Sequence, residues 1–215
     1  MMRPLLLWLA VLAGGVGCRT TAYEPREGDL FFRVAGTAAA SSAIAEATAW
    51  NDTLRFSHVA MVVFEEGTPF LLEATGESGV CCTAWDDFLA ASPSVGGGPG
   101  VVVMRMREEL RKEVSLTDAA ARARSHLGEP YDWWYLPDNG RMYCSELVCD
   151  SYLKADGTRL FSLRPMNFRT ADGELPAYWK ALFEQLGTPV PEGLPGSNPN
   201  DLAKESSLIE VFRFF

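Results

Sequence analysis

The sequence lacks the patterns of several common functional classes. It has only two histidines, His58 and His126, and these form no ligand cluster of the usual zinc spacing with the adjacent Cys81 and Cys82. The glycines at 96–98 do not continue into Lys-Ser or Lys-Thr, as a phosphate-binding loop requires. The net charge is -9 and no basic stripe is present, which argues against a nucleic-acid partner. We therefore expect no metal, no cofactor and no nucleic acid.

The apolar run near the start of the chain is too short to span a bilayer. It covers Leu5 to Ala13, follows a short positive start, and leads through small residues to Cys18. This pattern predicts a signal peptide over residues 1–17. A cysteine directly after small residues resembles a bacterial lipoprotein cleavage site, so Cys18 is the predicted lipidation site; plain secretion and an uncleaved anchor are the alternatives. The mature protein would then be anchored to the membrane in the cell envelope, on the periplasmic side, or be secreted.

The composition is that of one globular domain. The chain has 215 residues, of which 47% are hydrophobic and 22% charged. This is enough for a substantial core but short for two enzyme domains. No repeat or long internal linker divides the chain. We predict a tether over residues 18–27 and a single domain over 28–215.

The four cysteines after Cys18 leave the disulfide state open. Cys81 and Cys82 are adjacent and cannot readily bond to each other without strain. Cys144 and Cys149 lie five positions apart on one predicted helix, which turns their side chains apart. A long-range pair such as Cys82 with Cys149 is one alternative, and buried reduced thiols are the other.

Local patterns predict an α+β fold, with an antiparallel sheet packed against helices. Strands are predicted at 28–34, 59–64, 69–74, 79–83, 101–106 and 208–214. Helices are predicted at 35–50, 84–90, 115–127, from about 143, and at 174–186. Loops rich in Gly and Pro are predicted at 92–100 and 188–200, and an aromatic loop at 131–141. The helix that begins at the cap residue Ser115 should bury Leu116, Ala119, Ala120, Ala123 and Leu127.

Cys144 is the candidate nucleophile. It stands where a helix begins in Tyr-Cys-Ser-Glu-Leu-Val (143–148), and the positive end of a helix favours a thiolate there. The same backbone N–H groups can bind the oxyanion of a tetrahedral intermediate. The alternative is that Cys144 is simply the first apolar residue of a buried stripe.

His58 is the candidate general base. It follows Ser57 and precedes an apolar strand, which places its ring near a strand end. A partly exposed structural histidine is the alternative. The other histidine, His126, is predicted in the last turn of a helix, where a cation suits the negative end, so we interpret it as structural.

Glu73 is the candidate group that orients His58. It lies within the apolar run Leu-Leu-Glu-Ala (71–74), on the second strand of a hairpin whose first strand follows His58. An unpaired acid in such a run is costly to bury, so it should have a partner. An outward-facing strand residue is the alternative.

The order of these motifs resembles a known family. Its pattern is carried by Gly-Asp-Leu-Phe-Phe (28–32), Phe-Ser-His-Val-Ala-Met-Val-Val (56–63), Leu-Leu-Glu-Ala (71–74), Gly-Glu-Pro-Tyr-Asp (128–132), Tyr-Cys-Ser-Glu-Leu-Val (143–148) and Asn-Pro-Asn-Asp-Leu-Ala (198–203). These segments resemble the circularly permuted papain-like hydrolases of the NlpC superfamily, in the YiiX/YebB-like branch, where histidine precedes cysteine. The resemblance covers most of residues 27–214. It implies the permuted papain-like fold, with an antiparallel sheet or barrel packed against helices.

The resemblance also implies roles for individual residues. Cys144 would be the nucleophile, His58 the general base and Glu73 the orienting acid. Tyr143, Ser57 and Asp132 are the candidates for contacts to the oxyanion or substrate, with packing for Tyr143 and loop fixation for Asp132 as the alternatives. Glu146, one turn into the helix, is interpreted as structural or solvent-facing.

The sequence therefore predicts a cell-envelope cysteine hydrolase of the amidase or peptidase type. The expected substrate is a peptidoglycan peptide or a lipid-like acyl amide, and the aromatic loop at 131–135 slightly favours an apolar acyl group. The alternative is a noncatalytic envelope lipoprotein that binds a lipid or peptide in the same groove.

Overall fold

The structure is a computed structural model that describes residues 23–49 and 52–215. The predicted signal peptide, Cys18 and the first part of the predicted tether lie outside the described residues, as do Trp50 and Asn51. Among the helices of the described residues, none combines the length and the apolar character that crossing a bilayer would require.

The secondary structure of the described residues consists of ten strands, six α-helices and a short 3-10 helix at Glu108–Lys112. The strands are β1 (Leu30–Val34), β2 (Phe56–Glu65), β3 (Thr68–Thr75), β4 (Gly79–Ala84), β5 (Ser94–Val95), β6 (Gly98–Pro99), β7 (Val101–Met106), β8 (Arg164–Pro165), β9 (Pro195–Gly196) and β10 (Leu208–Arg213). The helices are α1 (Ala39–Thr48), α2 (Trp85–Ala90), α3 (Leu116–Ser125), α4 (Cys144–Ser151), α5 (Ala177–Leu186) and α6 (Pro199–Ala203).

Six strands form one antiparallel sheet in the order β10-β7-β1-β2-β3-β4. The sheet is open, with β10 and β4 at its edges, and it does not close into a barrel. The β2–β3 hairpin turns through Glu66 and Gly67, which both have positive φ (49° and 83°), as a two-residue turn that matches the strand twist requires. The predicted α+β arrangement of an antiparallel sheet and helices is confirmed.

Both faces of the sheet are covered, which explains why its strands are almost continuously apolar. Val59, Met61 and Leu72 pack with residues of α3 and α4 in the main core. The neighbouring positions Ala60 and Leu71 face the other way, into a smaller cluster with Phe88 of α2. Each fully buried Leu or Phe contributes about 2 kcal/mol through removal of apolar surface from water.

Helix α4 is fixed firmly against the sheet. It packs on β2, β3 and α3, and its Leu147 and Val148 are buried. At its C-terminal end, the Tyr152 hydroxyl donates a hydrogen bond to the carbonyl of Gly28, just before β1. Because all these contacts are to rigid elements, the N-terminus of α4 is held at a defined place beside the strands.

Two local predictions for the helices need correction. Leu127, predicted to be buried, is 44% exposed, because α3 ends at Ser125 and the chain has already turned away. The loop predicted to run to residue 200 instead gives way to α6, which Asn198 caps by accepting a hydrogen bond from the N–H of Asp201.

The predicted loop at 92–100 also contains regular structure. Its residues form the small β5–β6 hairpin, directly before β7. The predicted cap of α3 is confirmed, since the Ser115 hydroxyl accepts from the N–H of Asp118 at 3.2 Å.

Candidate active site

Cys144 is the first residue of α4 and is buried, with 4% of its surface exposed. Tyr143 before it is extended, so the chain enters the helix at the thiol. The first N–H groups of a helix have no partner within the helix and can hydrogen-bond to an anion. A small cavity of about 50 Å³ lies beside Cys144 and is also lined by Tyr131 and Tyr135.

His58 and Glu73 form a close pair. The distance from His58 Nε2 to Glu73 Oε2 is 2.5 Å, between neighbouring strands β2 and β3. The Thr83 hydroxyl on β4 donates to the other carboxylate oxygen, Oε1. Because Nε2 is bonded to Glu73, Nδ1 is the ring nitrogen that is available to exchange a proton with Cys144.

The electrostatics of the site favour a protonated imidazole. Burial by itself would lower the pKa of His58, whose side chain is 13% exposed. Hydrogen bonds to Cys144 and Glu73 and the negative charges of both groups outweigh burial and raise this pKa to about 9. The arrangement therefore stabilises the imidazolium form of His58.

Glu73 is shifted in the opposite direction. Its carboxylate is buried, which by itself would raise its pKa, but bonding to His58 and Thr83 and the nearby positive charges lower it. Glu73 is thus a charged group in the interior, and its inward position excludes the alternative of an outward-facing strand residue.

Arg33 is a component of the site that the sequence interpretation missed. It lies on β1 directly opposite His58, and the charges of Glu73 and Cys144 both act on it. Burial lowers the pKa of its guanidinium more than these negative charges raise it. A signal was present, because Arg33 interrupts the apolar run Leu-Phe-Phe-Arg-Val, and a charge in a buried strand needs a reason.

The structure places the three additional candidate residues in supporting positions. The Ser57 hydroxyl accepts from Ser41 Oγ at 2.8 Å. The Tyr143 hydroxyl accepts from the N–H of Ser197 at 3.2 Å, away from the start of the helix. Asp132 is fully buried and accepts from two backbone N–H groups of the aromatic loop, at residues 134 and 136.

The sequence predicts that Glu146 is either structural or solvent-facing. In the structure it is buried, which supports a structural role. Its Oε2 accepts from the N–H of Tyr143 at 3.3 Å, which stabilises the first turn of α4. Burial, the largest cause, raises the pKa of Glu146 to about 8, and nearby acids such as Asp132 act in the same direction.

Asn200 is a second residue that sequence reasoning did not single out by itself. Its side chain accepts from the N–H of Phe56 and donates to the carbonyl of the same residue, at 2.8 and 2.7 Å. It also donates to the Thr48 hydroxyl at 2.7 Å. Asn200 therefore fixes the first residue of β2, two positions before His58.

The remaining cysteines are unpaired thiols in the described structure: Cys81 and Cys82 are half-buried and Cys149 is buried. His126 lies outside the site, with its Nδ1 3.0 Å from Glu129 Oε2.

A groove of about 820 Å³ opens beside His58. One wall is formed by Ser57 and by residues at the start of α1, and another by the aromatic side chains of Tyr131, Trp133 and Tyr178. The groove is large enough for a ligand of substantial size beside His58, and it shares Ile44, Tyr131 and Tyr135 with the smaller cavity that Cys144 lines.

Comparison with known proteins identifies related sequences and structures. Residues 24–212 match the family described as permuted papain-like amidase enzyme, YaeF/YiiX, C92 family. The chain is 29% identical over 190 residues to the uncharacterized protein YiiX of Escherichia coli (strain K12), covering 88% of this chain and 86% of that protein. The crystal structure of metalloprotein yiiX from Escherichia coli O157:H7 superposes with a TM-score of 0.69 at 26% identity, over 89% of this chain and 98% of that one.

The protein in that crystal structure is described as a metalloprotein. In residues 23–49 and 52–215 of the present chain, no three His, Cys, Asp or Glu side chains are grouped so that they could hold a metal ion. The donor set of these residues therefore does not fit a metal site.

Proposed function

The chain belongs to the permuted papain-like amidase family, and we propose that it is a cysteine hydrolase that cleaves an amide bond with Cys144, His58 and Glu73. The observation that carries the proposal is the close His58–Glu73 pair, together with a cysteine at the start of a helix. His58 Nε2 is 2.5 Å from Glu73 Oε2, and Cys144 is the first residue of α4. The shift in the pKa of His58 has Cys144 and Glu73 among its causes. A nucleophile, a base and an orienting acid in this order are what nucleophilic catalysis needs.

The proposed reaction has two halves. His58 takes the proton of Cys144, and the thiolate attacks the carbonyl carbon while the first N–H groups of α4 bind the oxyanion. The imidazolium then donates its proton to the leaving amine, and the C–N bond breaks to leave a thioester. Water, deprotonated by His58, attacks the thioester, and the thiol regains the proton when the acid is released.

Glu73 supports these steps without touching the substrate. Its bond to Nε2 fixes the ring so that Nδ1 faces Cys144, and its charge stabilises the imidazolium that forms. The Thr83 hydroxyl holds the second carboxylate oxygen, which prevents the carboxylate from rotating away.

Two substrate classes remain in the proposal: a peptidoglycan peptide and a lipid-like acyl amide. The groove beside His58 is large enough for either, and its aromatic wall can pack against an acyl chain or a peptide side chain. A noncatalytic protein that binds such a ligand in the groove is the competing class.

We further propose that the protein works in the cell envelope, attached to the membrane through a lipid on Cys18. The support is the run of apolar and small residues that precedes this cysteine. Metabolic labelling with an alkyne fatty acid tests it in a bacterial host. We expect label in the wild type and none in Cys18→Ser, and equal labelling of both would contradict the anchor.

Thiol labelling tests the hydrolase proposal without a known substrate. Iodoacetamide is added to the full chain, and modification of each cysteine is followed by mass spectrometry. We expect Cys144 to react faster than the other cysteines. We expect His58→Asn to slow this reaction by about a hundredfold, in the range found for loss of a base.

His126→Asn is the matched control, because His126 also has a glutamate partner but lies outside the site. Its labelling rate should equal that of the wild type. Equal rates in both histidine variants would contradict the proposed pairing. Hydrolysis of candidate peptides and acyl amides by the wild type, absent in Cys144→Ala, then separates an enzyme from a binding protein.

A further inference from the structure

The groove beside His58 has an unusual charge for this molecule. The chain carries 28 Asp and Glu residues against 19 Lys and Arg residues, which gives a net charge of -9. Among the described residues that line the groove, there is no Asp, Glu or Lys, and the basic side chains are Arg33 and His58. The lining of the groove therefore carries basic side chains and no carboxylate, and because His58 is paired with Glu73, Arg33 is the cation available to an anionic ligand.

The guanidinium of Arg33 is held in one position. Its Nε donates to the Ser92 hydroxyl at 3.2 Å, and that hydroxyl in turn donates to the carbonyl of Phe88 at 2.9 Å. The central carbon of the guanidinium lies 4.1 Å from the centre of the Phe88 ring, in a cation–π contact. These contacts use Nε and one face of the group.

The terminal nitrogens of Arg33 remain free for a ligand. Within residues 23–49 and 52–215, the hydrogen bonds of this side chain involve Nε alone, and Arg33 forms no ion pair with a carboxylate. Two terminal N–H groups side by side match the two oxygens of a carboxylate, with which guanidinium forms paired hydrogen bonds. The rigid clamp on Nε reduces the entropy lost when such a ligand binds.

The position of Arg33 places this ligand next to the reacting groups. Arg33 and His58 are directly paired on antiparallel strands β1 and β2, so their side chains project from the same face of the sheet. Both residues line the groove. An anion bound at the terminal nitrogens would therefore lie beside His58, the proposed general base.

We propose that Arg33 is a specificity-determining residue that binds a carboxylate of the substrate adjacent to the amide that is cleaved. This inference rests on the proposed hydrolase function and narrows its substrate class. It favours a peptide or acyl amino acid with a free carboxylate over an uncharged lipid amide, because a carboxylate can accept charge-assisted hydrogen bonds from the terminal N–H groups of Arg33.

The test compares two alkylating reagents of similar size and different charge, iodoacetate and iodoacetamide, at one near-neutral pH. The readout is the ratio of their rate constants at Cys144 in the full chain. We expect Arg33→Met to lower the ratio of iodoacetate to iodoacetamide about tenfold, the effect of losing one charge-assisted hydrogen-bonded contact. Arg33→Lys keeps the charge but loses the two side-by-side N–H groups, so its ratio of rate constants should lie between that of the wild type and that of Arg33→Met.

Arg141→Met is the matched control. Arg141 is also stacked on an aromatic ring, 4.8 Å from the centre of Trp134, but it does not line the groove. The ratio in this variant should equal that of the wild type. An unchanged ratio in Arg33→Met, or the same decrease in Arg141→Met, would overturn the inference while leaving the hydrolase proposal intact.

A measurement on the wild type avoids any dependence on folding of the variants. N-acetylglycine should protect Cys144 from iodoacetamide, and N-acetylglycinamide at the same concentration should protect it much less. Equal protection by both compounds would overturn the carboxylate site. If iodoacetamide shows no His58-dependent preference for Cys144, the hydrolase proposal itself fails and this inference fails with it.

Discussion

Replacing Glu73 with glutamine tests the electrostatics of the site directly. Glutamine keeps the size and a hydrogen-bonding oxygen, but it removes the negative charge 2.5 Å from His58 Nε2. The rise in the pKa of His58 from 6.5 to about 9 corresponds to about 3 kcal/mol in favour of the imidazolium. Because Glu73 supplies part of this stabilisation, we expect Glu73→Gln to lower the pKa by about one unit or more.

Proton NMR can measure this pKa, because the chain contains only two histidines. Each gives one Cε1–H titration curve, and His126→Asn assigns them. In the double variant of Glu73→Gln with Cys144→Ala, burial is the main remaining cause, so the pKa of His58 should fall below its ordinary 6.5. A midpoint that stays near 9 in the double variant would refute the assigned causes.

The same groups predict a pH dependence of stability. The pKa of His58 is higher in the folded than in the unfolded chain, so its contribution is complete below pH 6.5 and is lost as the pH rises through about 9. The pKa of Glu73 is lowered by folding, so its contribution is present above pH 4.5 and is lost as the pH falls through the folded value. The difference in unfolding free energy between the wild type and Glu73→Gln should therefore be largest between about pH 4.5 and pH 6.5, where both contributions are present. A difference in urea denaturation that is constant with pH would contradict this linkage.

Four further substitutions, measured by urea denaturation, test the interactions that fix the strands and α4 around the site. The pKa of Glu146 is raised from 4.5 to about 8, chiefly by burial, so the wild type should lose stability as the pH rises through this range. Glu146→Gln should lose about 4 kcal/mol less over the same range, and parallel curves would contradict the burial argument. Asn200→Ala leaves the N–H and carbonyl of Phe56 without their buried partner and should cost about 3 kcal/mol; a loss below about 1 kcal/mol would contradict the proposed anchoring of β2. Gly79→Ala should cost more than Gly67→Ala, because an added Cβ at Gly79 would lie 2.2 Å from a carbonyl oxygen, whereas at Gly67 it meets open space at a similar positive φ. Equal losses for the two glycines would contradict this steric assignment.

Local sequence patterns were sufficient for most of the secondary structure. The strand predicted at 101–106 is β7 as observed, and Ser115 caps α3 as predicted. The reason is that these features depend on neighbouring residues: alternation of side chains in a strand, or a hydroxyl three positions from the N–H that it accepts. The same argument placed Cys144 at the start of a helix.

Local patterns failed where a residue's environment is set by distant segments. Leu127 fits the helical stripe of α3, but the helix ends before it and leaves it exposed. Glu146 has the polarity of a surface residue, yet the folded chain buries it. Only the packed structure determines such positions, because burial depends on which elements lie opposite.

The residues proposed for the chemistry can be recognised from their types and order along the chain: one histidine before one helix-start cysteine, with an acid on the strand between them. These residue types and their order are properties of the chain and need no coordinates. Which charges lie close together depends on the folded arrangement. It placed Arg33 opposite His58 by strand register, and it fixed β2 through Asn200, which lies 144 positions away from Phe56. Strand register and long-range hydrogen bonds arise only when the sheet assembles, so no local pattern could specify them.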